Sequence, residues 1–352
     1  MKKADGAGAL FTAVGTVVGA GFVSGRELLQ FFGCFRLSAV WCAGILFFAG
    51  FFLFMRLGRR FGGFEGALKG VFGRFSRPVK WVILFGSFVS CAGMLSASNA
   101  LEPQAKPFLS LAFLAVACLV SERGMKGIGA LNLAIVPLLL VCVTLLVASR
   151  GAFSRPESPE ADFPSLLSVA LYVCLNVFLS MPVLCELGAH TEEGGAGLCA
   201  AAALIIAAAI GLILSAVCSD KNSYPCDLPL AYILNGAKLF SLLASGGMLT
   251  TLISSFYPLY APAGRRLGFW GKAGLFAAAE LCSFIRFGRI VAEVYPMLGI
   301  FGVFVTLASG IVWAKGSVFF SSAGAAPPDS GRKTKSVKVF IKDFIKERND
   351  FY

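Results

Sequence analysis

The stretch GTVVGAGFVSGRELLQFF, residues 15–32, joins membrane-like apolarity to four glycines, Gly15, Gly19, Gly21 and Gly25, and to an adjacent Arg26 and Glu27. Each glycine costs about 1 kcal/mol of helix propensity relative to alanine, so an intact helix is poorly supported. A second breaker stands in NVFLSMPVLCELG, where Pro182 removes a backbone hydrogen bond and crowds the carbonyl of Phe178. This predicts a second break over residues 178–181. In lipid, unpaired backbone groups survive only where they line a cavity or are buried in protein. A broken helix offers N–H groups at one half-end and C=O groups at the other, so a carboxylate and a cation can both find partners near the midplane. A small zwitterion with a coupling cation suits that chemistry. The expected solute contacts are Gly19, Ala20 and Gly21 in the first segment and Asn176, Phe178 and Ser180 in the second. The competing structural readings are close helix packing through the GxxxG pairs Gly15/Gly19 and Gly21/Gly25, and an ordinary proline kink at Pro182.

Hydrophobic residues make up 57% of the 352 and charged residues only 14%, which excludes an ordinary soluble domain. Apolar runs of membrane-crossing length recur between short charged loops, with spans expected at 8–32, 37–55, 80–100, 107–121, 128–149, 164–187, 196–218, 238–261, 271–285 and 291–313. The runs are continuous rather than alternating, which excludes a barrel. The net charge of +12 could suggest nucleic acid, but its placement argues for topology. With ten spans and both termini inside, Arg56, Arg59, Arg60, Lys69, Arg74, Arg77, Lys80, Arg123, Lys126, Arg265, Arg266 and Lys272 all fall on the cytoplasmic side. The eleven cysteines show no CxxC spacing and read as buried small hydrophobes, not as a metal or disulfide framework. The tail KSVKVFIKDFIKERNDFY places Val337, Phe340, Ile341, Phe344 and Ile345 on one helical face. It reads either as a short helix against anionic inner-leaflet lipid or as a basic tail that only enforces topology.

Spans one and six begin the two halves of a ten-span chain, and an odd number of spans per half gives the halves opposite orientation. The expected fold is therefore all-α and integral to the membrane, a 5+5 inverted repeat with 1–158 and 159–313 as halves and 314–352 as a tail. Interrupted helices at matching positions of such halves point to a transporter binding site.

At GTVVGAGFVSGRE the chain resembles the first helix of the amino acid, polyamine and organocation superfamily, whose members share the LeuT fold. More narrowly, GAGFVSGRELLQFF is similar to the YkvI-like bacterial membrane proteins, which have a GAGF(A)SGQE pattern with Gln in place of Arg26. The resemblance implies secondary transport of an amino-acid-like solute in the bacterial cytoplasmic membrane. In sodium-coupled members of the fold, a cation lies between carbonyls of the first helix and oxygens of the eighth. Carried over, these are the carbonyls of Gly15 and Val18 and the hydroxyls of GGMLTTLISSFYPLY. In that segment Thr250 with Ser254, or Thr251 with Ser255, share a face at i, i+4 spacing. Hard oxygen ligands suit Na⁺, while the competing reading has these hydroxyls bonding back to their own helix. The fifth span has no lysine before Arg150, which disfavours the proton-coupled variant of the site. No other cofactor is implied.

Ionisable groups within spans are functional candidates by default, here Arg26, Glu27 and Glu280. With the first span centred near Ala20, Glu27 lies about 10 Å from the midplane, where an outer vestibule would hydrate it as a gate while Arg26 snorkels to the surface. Glu186 is placed nearer the inner surface. An enzyme is disfavoured: His190 has no HExxH partner, Ser24 no credible base, and GAGFVSG lacks the GxGxxG spacing. The alternative on the same fold is a non-transporting small-molecule receptor, which would bind its ligand without flux.

Overall fold

The computed structural model describes residues 6–18, 22, 24–33, 35–102, 104, 107–154, 163–191, 195–234 and 238–322. Its elements are helical throughout. The first span is two short helices, α1 (Gly6–Gly15) and α2 (Arg26–Phe32), followed by α3 (Leu37–Phe61). A short helix, α4 (Phe64–Phe72), and a 3₁₀ turn lead into α5 (Ser76–Leu101), and then α6 (Phe108–Glu122) and α7 (Gly124–Arg150). The second part comprises α8 (Phe163–His190), α9 (Gly195–Val217), the five-residue α10 (Pro229–Ile233) and α11 (Lys238–Cys282). A turn at Phe287–Arg289 and a π-helical turn at Ile290–Val294 open α12 (Tyr295–Ser322).

Among the described residues, seven helical segments are long and apolar enough to cross a bilayer, while Gly6–Gly15 and Phe108–Glu122 are apolar but shorter. The chain is thus a multi-pass, all-helical membrane protein. Leu37, Trp41, Ile45 and Phe48 form an exposed apolar stripe along α3 at helical spacing, as a lipid-facing surface requires. Residues 1–310 form one compact unit and 311–352 a second, described only as far as Ser322.

One expectation is corrected. The first span is broken as its glycines predict, but α8 runs unbroken from Phe163 to His190 through Pro182. One proline leaves a helix short of a single hydrogen bond, and here the surrounding packing holds the backbone: Phe178, Met181, Leu184 and Cys185 are all fully buried. The eighth and ninth expected spans are two helices that meet at a kink within α11, at Gly268, whose φ of 57° and ψ of −137° are non-helical.

α3 and α8 pack at backbone contact. A methyl group added to Gly58 would lie 2.0 Å from the Cys185 carbonyl oxygen, and one on Gly188 would lie 2.0 Å from the Met55 carbonyl oxygen. Small residues at a membrane helix interface permit this approach, and dispersion and weak polar contacts then supply the attraction that hydrophobicity cannot supply in lipid.

Candidate functional site

α1 stops at Gly15, and the chain turns through Thr16 and Val17 with short-range bonds, Val17 N–H to the Val14 carbonyl at 3.1 Å and Val18 N–H to the same oxygen at 2.9 Å. Phe22 and Ser24 are already helical, and α2 follows a bend at Gly25, which sits at φ 77°. The Ser24 hydroxyl accepts from the Arg26 N–H at 3.1 Å and so satisfies one of the free donors opening α2. Gly19, Ala20 and Gly21 lie outside the described residues.

The break faces the first half of α11. The Thr251 hydroxyl donates to the Gly15 carbonyl at 3.2 Å, and the Ser255 hydroxyl donates to Ser90 of α5 at 3.0 Å. Thr250 and Ser254 instead bond back to their own helix, at Gly247 and Thr250 carbonyls, both at 2.9 Å. The helical period thus divides the four hydroxyls, one i, i+4 pair facing other helices and the other capping its own turn.

Between these elements lies a cavity of about 20 Å³, room for roughly one water-sized species. Thr16, Glu27, Ser90, Asn176, Thr251, Ser255 and Tyr295 supply its polar lining. Glu27 is 5% exposed, so it is a buried carboxylate at the meeting point of five helices and not, as expected, a hydrated vestibule group. The reason is the direction of α2. Phe31 and Phe32 pack against the buried Tyr172 of α8 at ring separations of 5.6 and 5.5 Å, which turns the Glu27 face inward. Among the described residues Glu27 forms no ion pair.

Of the solute contacts expected in α8, Asn176 reaches the cavity, with its amide nitrogen held by the Tyr172 carbonyl at 2.9 Å. Phe178 and Ser180 do not line it. A methyl group on Gly86 of α5 would lie 3.1 Å from the Phe178 ring, and the Ser180 hydroxyl is buried with no partner among the described atoms. Val18 is buried beside α7 and α9 in a separate apolar pocket.

Asn132 of α7 is a further polar group at the break that was not among the expected site residues. It is 1% exposed, its amide nitrogen donates to Ile128, and its Oδ1 is without a partner among the described atoms and points at Gly15, whose added methyl would lie 2.0 Å away. Its signal was present, since Asn132 is the single amide in the run 128–149. The same contact shows that Gly15 serves packing as well as the break. Gly25 does likewise, its added methyl falling 2.6 Å from Val217.

Arg26 reaches the segment that connects α9 and α11. Its guanidinium donates to the Tyr224 carbonyl at 2.6 Å, while Asp227 from the same connecting segment pairs with Arg286 at 3.3 Å. The segment between α9 and α11 is therefore tied across the start of α2 and the turn before α12. Glu280 lies elsewhere, accepting from Ser110 of α6 at 2.7 Å. Glu186 accepts from the Phe64 N–H at 3.1 Å and so caps α4, and His190 contacts the Glu186 carbonyl at 2.8 Å. Neither forms a catalytic arrangement. Near the other end of the bundle, Glu122 accepts from Tyr260 at 2.7 Å and Lys272 at 2.5 Å, and the Lys272 bond draws its carboxyl below the usual range. No disulfide joins two of the ten described cysteines, and no cluster of metal-binding side chains occurs among the described residues.

No protein-family model matches the chain. It is a homologue of the uncharacterized membrane protein YkvI of Bacillus subtilis (strain 168), 27% identical over 316 residues that cover 82% of this chain and 90% of that protein. Its fold is similar to that of the LeuT-fold transporter MhsT, solved in complex with L-phenylalanine, with TM-score 0.56, 16% identity and 88% of each chain covered. Mhp1 in its inward-facing conformation matches with TM-score 0.52, 14% identity and coverage of 87% of this chain and 74% of that one.

Proposed function

We propose that this protein is a secondary active transporter of a small, amino-acid-like zwitterion, coupled to a cation, with Na⁺ favoured over H⁺. The observation that carries the reading is the Thr251 hydroxyl reaching the Gly15 carbonyl at the helix break, beside a cavity that holds the buried Glu27 and Asn176. A carboxylate surrounded by hydroxyl and amide oxygens is a hard-ligand environment of the kind small cations take. In this reading Thr251, Ser255, Ser90 and Glu27 hold the ion and Asn176 contacts the solute. The amino acid bound by MhsT supports the solute class.

The reading takes the chain as ten spans in two oppositely oriented halves, 1–158 and 159–313, in a bacterial cytoplasmic membrane with both termini inside. Alternating access then pivots on the break in the first span alone, since α8 is continuous. A cysteine placed at Lys221 should react with a membrane-impermeant thiol reagent from outside, and one at Lys69 only from inside. The reverse accessibility would overturn the orientation.

Uptake of labelled amino acids into sealed proteoliposomes, with and without an inward Na⁺ gradient, tests the function. Replacing Thr251 and Ser255 together with alanine removes two oxygens from the proposed ion shell. The Na⁺ concentration for half-maximal uptake should rise at least about tenfold, at roughly 1 kcal/mol for each hydrogen-bonding group lost. Replacing Thr250 and Ser254 should leave it within about twofold, because those hydroxyls only cap their own helix. Equal effects from the two pairs, or uptake that follows a proton gradient and ignores Na⁺, would refute the site.

A further inference from the structure

Away from the helix break, a groove of about 870 Å³ runs between the α4–α5 corner and α11. Its polarity is divided along its length. Lys69, Arg77 and Lys80 stand at one end, and the walls beyond them are apolar, with Trp81, Phe85 and Phe88 from α5 and Leu259 and Leu275 from either side of Gly268 in α11. Lys80 is paired with Glu65, whereas Lys69 and Arg77 are exposed and have no anionic partner among the described residues.

The dimensions are those of one leaflet. From Arg77 to Phe88 is eleven residues of helix, or about 16 Å, against a half-thickness of roughly 15 Å for the hydrocarbon core. Trp81, 64% exposed, stands one turn beyond Arg77, where an amphipathic ring marks the boundary between headgroups and acyl chains. Basic residues at the surface end of a crevice between membrane helices suit an anionic headgroup, and the apolar crevice below suits its chain. We propose that this groove is a binding site for an anionic phospholipid of the leaflet on the Lys69 side, with the phosphate held by Lys69 and Arg77 and an acyl chain laid along Phe85 and Phe88. The groove takes Leu259, Pro262 and Ala263 from one side of Gly268 and Leu275 from the other, so a bound lipid would brace the two parts of α11 against each other.

The test uses the full-length protein in detergent, with phosphatidylglycerol and phosphatidylcholine supplied at equal concentration and bound lipid read by native mass spectrometry. Phosphatidylglycerol should be retained in preference, and Lys69→Ala with Arg77→Ala should reduce its retention about fivefold for each basic residue removed. Ala263→Trp fills the groove without altering charge and should reduce retention similarly, with Ala263→Leu as a milder substitute if the larger variant fails to fold. Arg123→Ala with Lys126→Ala removes the same charge elsewhere and should change nothing. Equal loss in that control pair would assign the effect to diffuse surface charge. Undiminished retention in the Ala263 variants would assign it to headgroup adsorption, and displacement by inorganic phosphate would show a simple anion site. Each of these results overturns the proposal, and none depends on transport activity.

Discussion

Glu27→Gln is expected to abolish coupled uptake while leaving the protein at least as stable as the parent. Glutamine keeps the shape and removes the charge, so the packing of α2 on Tyr172 through Phe31 and Phe32 is untouched. Removing one partner of a buried charged interaction costs roughly 2–5 kcal/mol, which predicts a fall of at least about 30-fold in initial uptake rate at limiting Na⁺. Stability should move the other way. Among the described residues no cation pairs with Glu27, so the substitution relieves the cost of holding a carboxylate out of water. A melting temperature equal to or above that of the parent, together with lost uptake, is the expected pair of results. Glu27→Asp, which retains the charge about one bond short, should keep part of the activity. A glutamine variant that transports normally would remove Glu27 from the ion site, and one that loses uptake and stability together would make it a structural residue.

The second large effect concerns the backbone contact between α3 and α8. Gly58→Ala would set a methyl group 2.0 Å from the Cys185 carbonyl oxygen and 2.4 Å from its Cα, and Gly188→Ala would set one 2.0 Å from the Met55 carbonyl oxygen. Neither obstacle is a side chain that can rotate away, so the helices must separate. Each substitution should cost about 3 kcal/mol, the upper end of the usual overpacking range. The double variant should cost less than the sum, because the first methyl already opens the interface that the second would have strained. Gly274→Ala is the control. It has nothing within 4 Å of the added methyl and lies in a helix, so alanine there should be neutral or stabilising by up to about 1 kcal/mol. Thermal melting in detergent separates these outcomes, and unchanged melting of Gly58→Ala would mean that α3 and α8 are not held at backbone contact.

The membrane class, most helix positions and the break in the first span were legible from composition and local propensity. Apolar run length follows from the bilayer thickness, and four glycines within eleven residues weaken a helix whatever surrounds them. Pro182 was a weaker signal than it looked, because one missing hydrogen bond can be absorbed when the flanking residues are buried. The spacing of Thr250, Thr251, Ser254 and Ser255 marked two faces of a helix, but rotation about the helix axis decides which face meets a neighbour. Only the packed structure shows Thr251 and Ser255 turned toward α1 and α5.

Glu27 and Asn132 show the same division. The sequence determined that a carboxylate and an amide lie within apolar runs, where they are costly and therefore informative. Their surroundings were decided by contacts between residues far apart in the chain. Aromatic packing of α2 on Tyr172 turns Glu27 toward the cavity, and the close approach of α7 brings Asn132 to Gly15. Local rules set by the bilayer and by backbone propensity can be read from neighbouring residues. The direction in which a helix presents its side chains depends on all the helices packed around it, and that is what the tertiary structure alone decided.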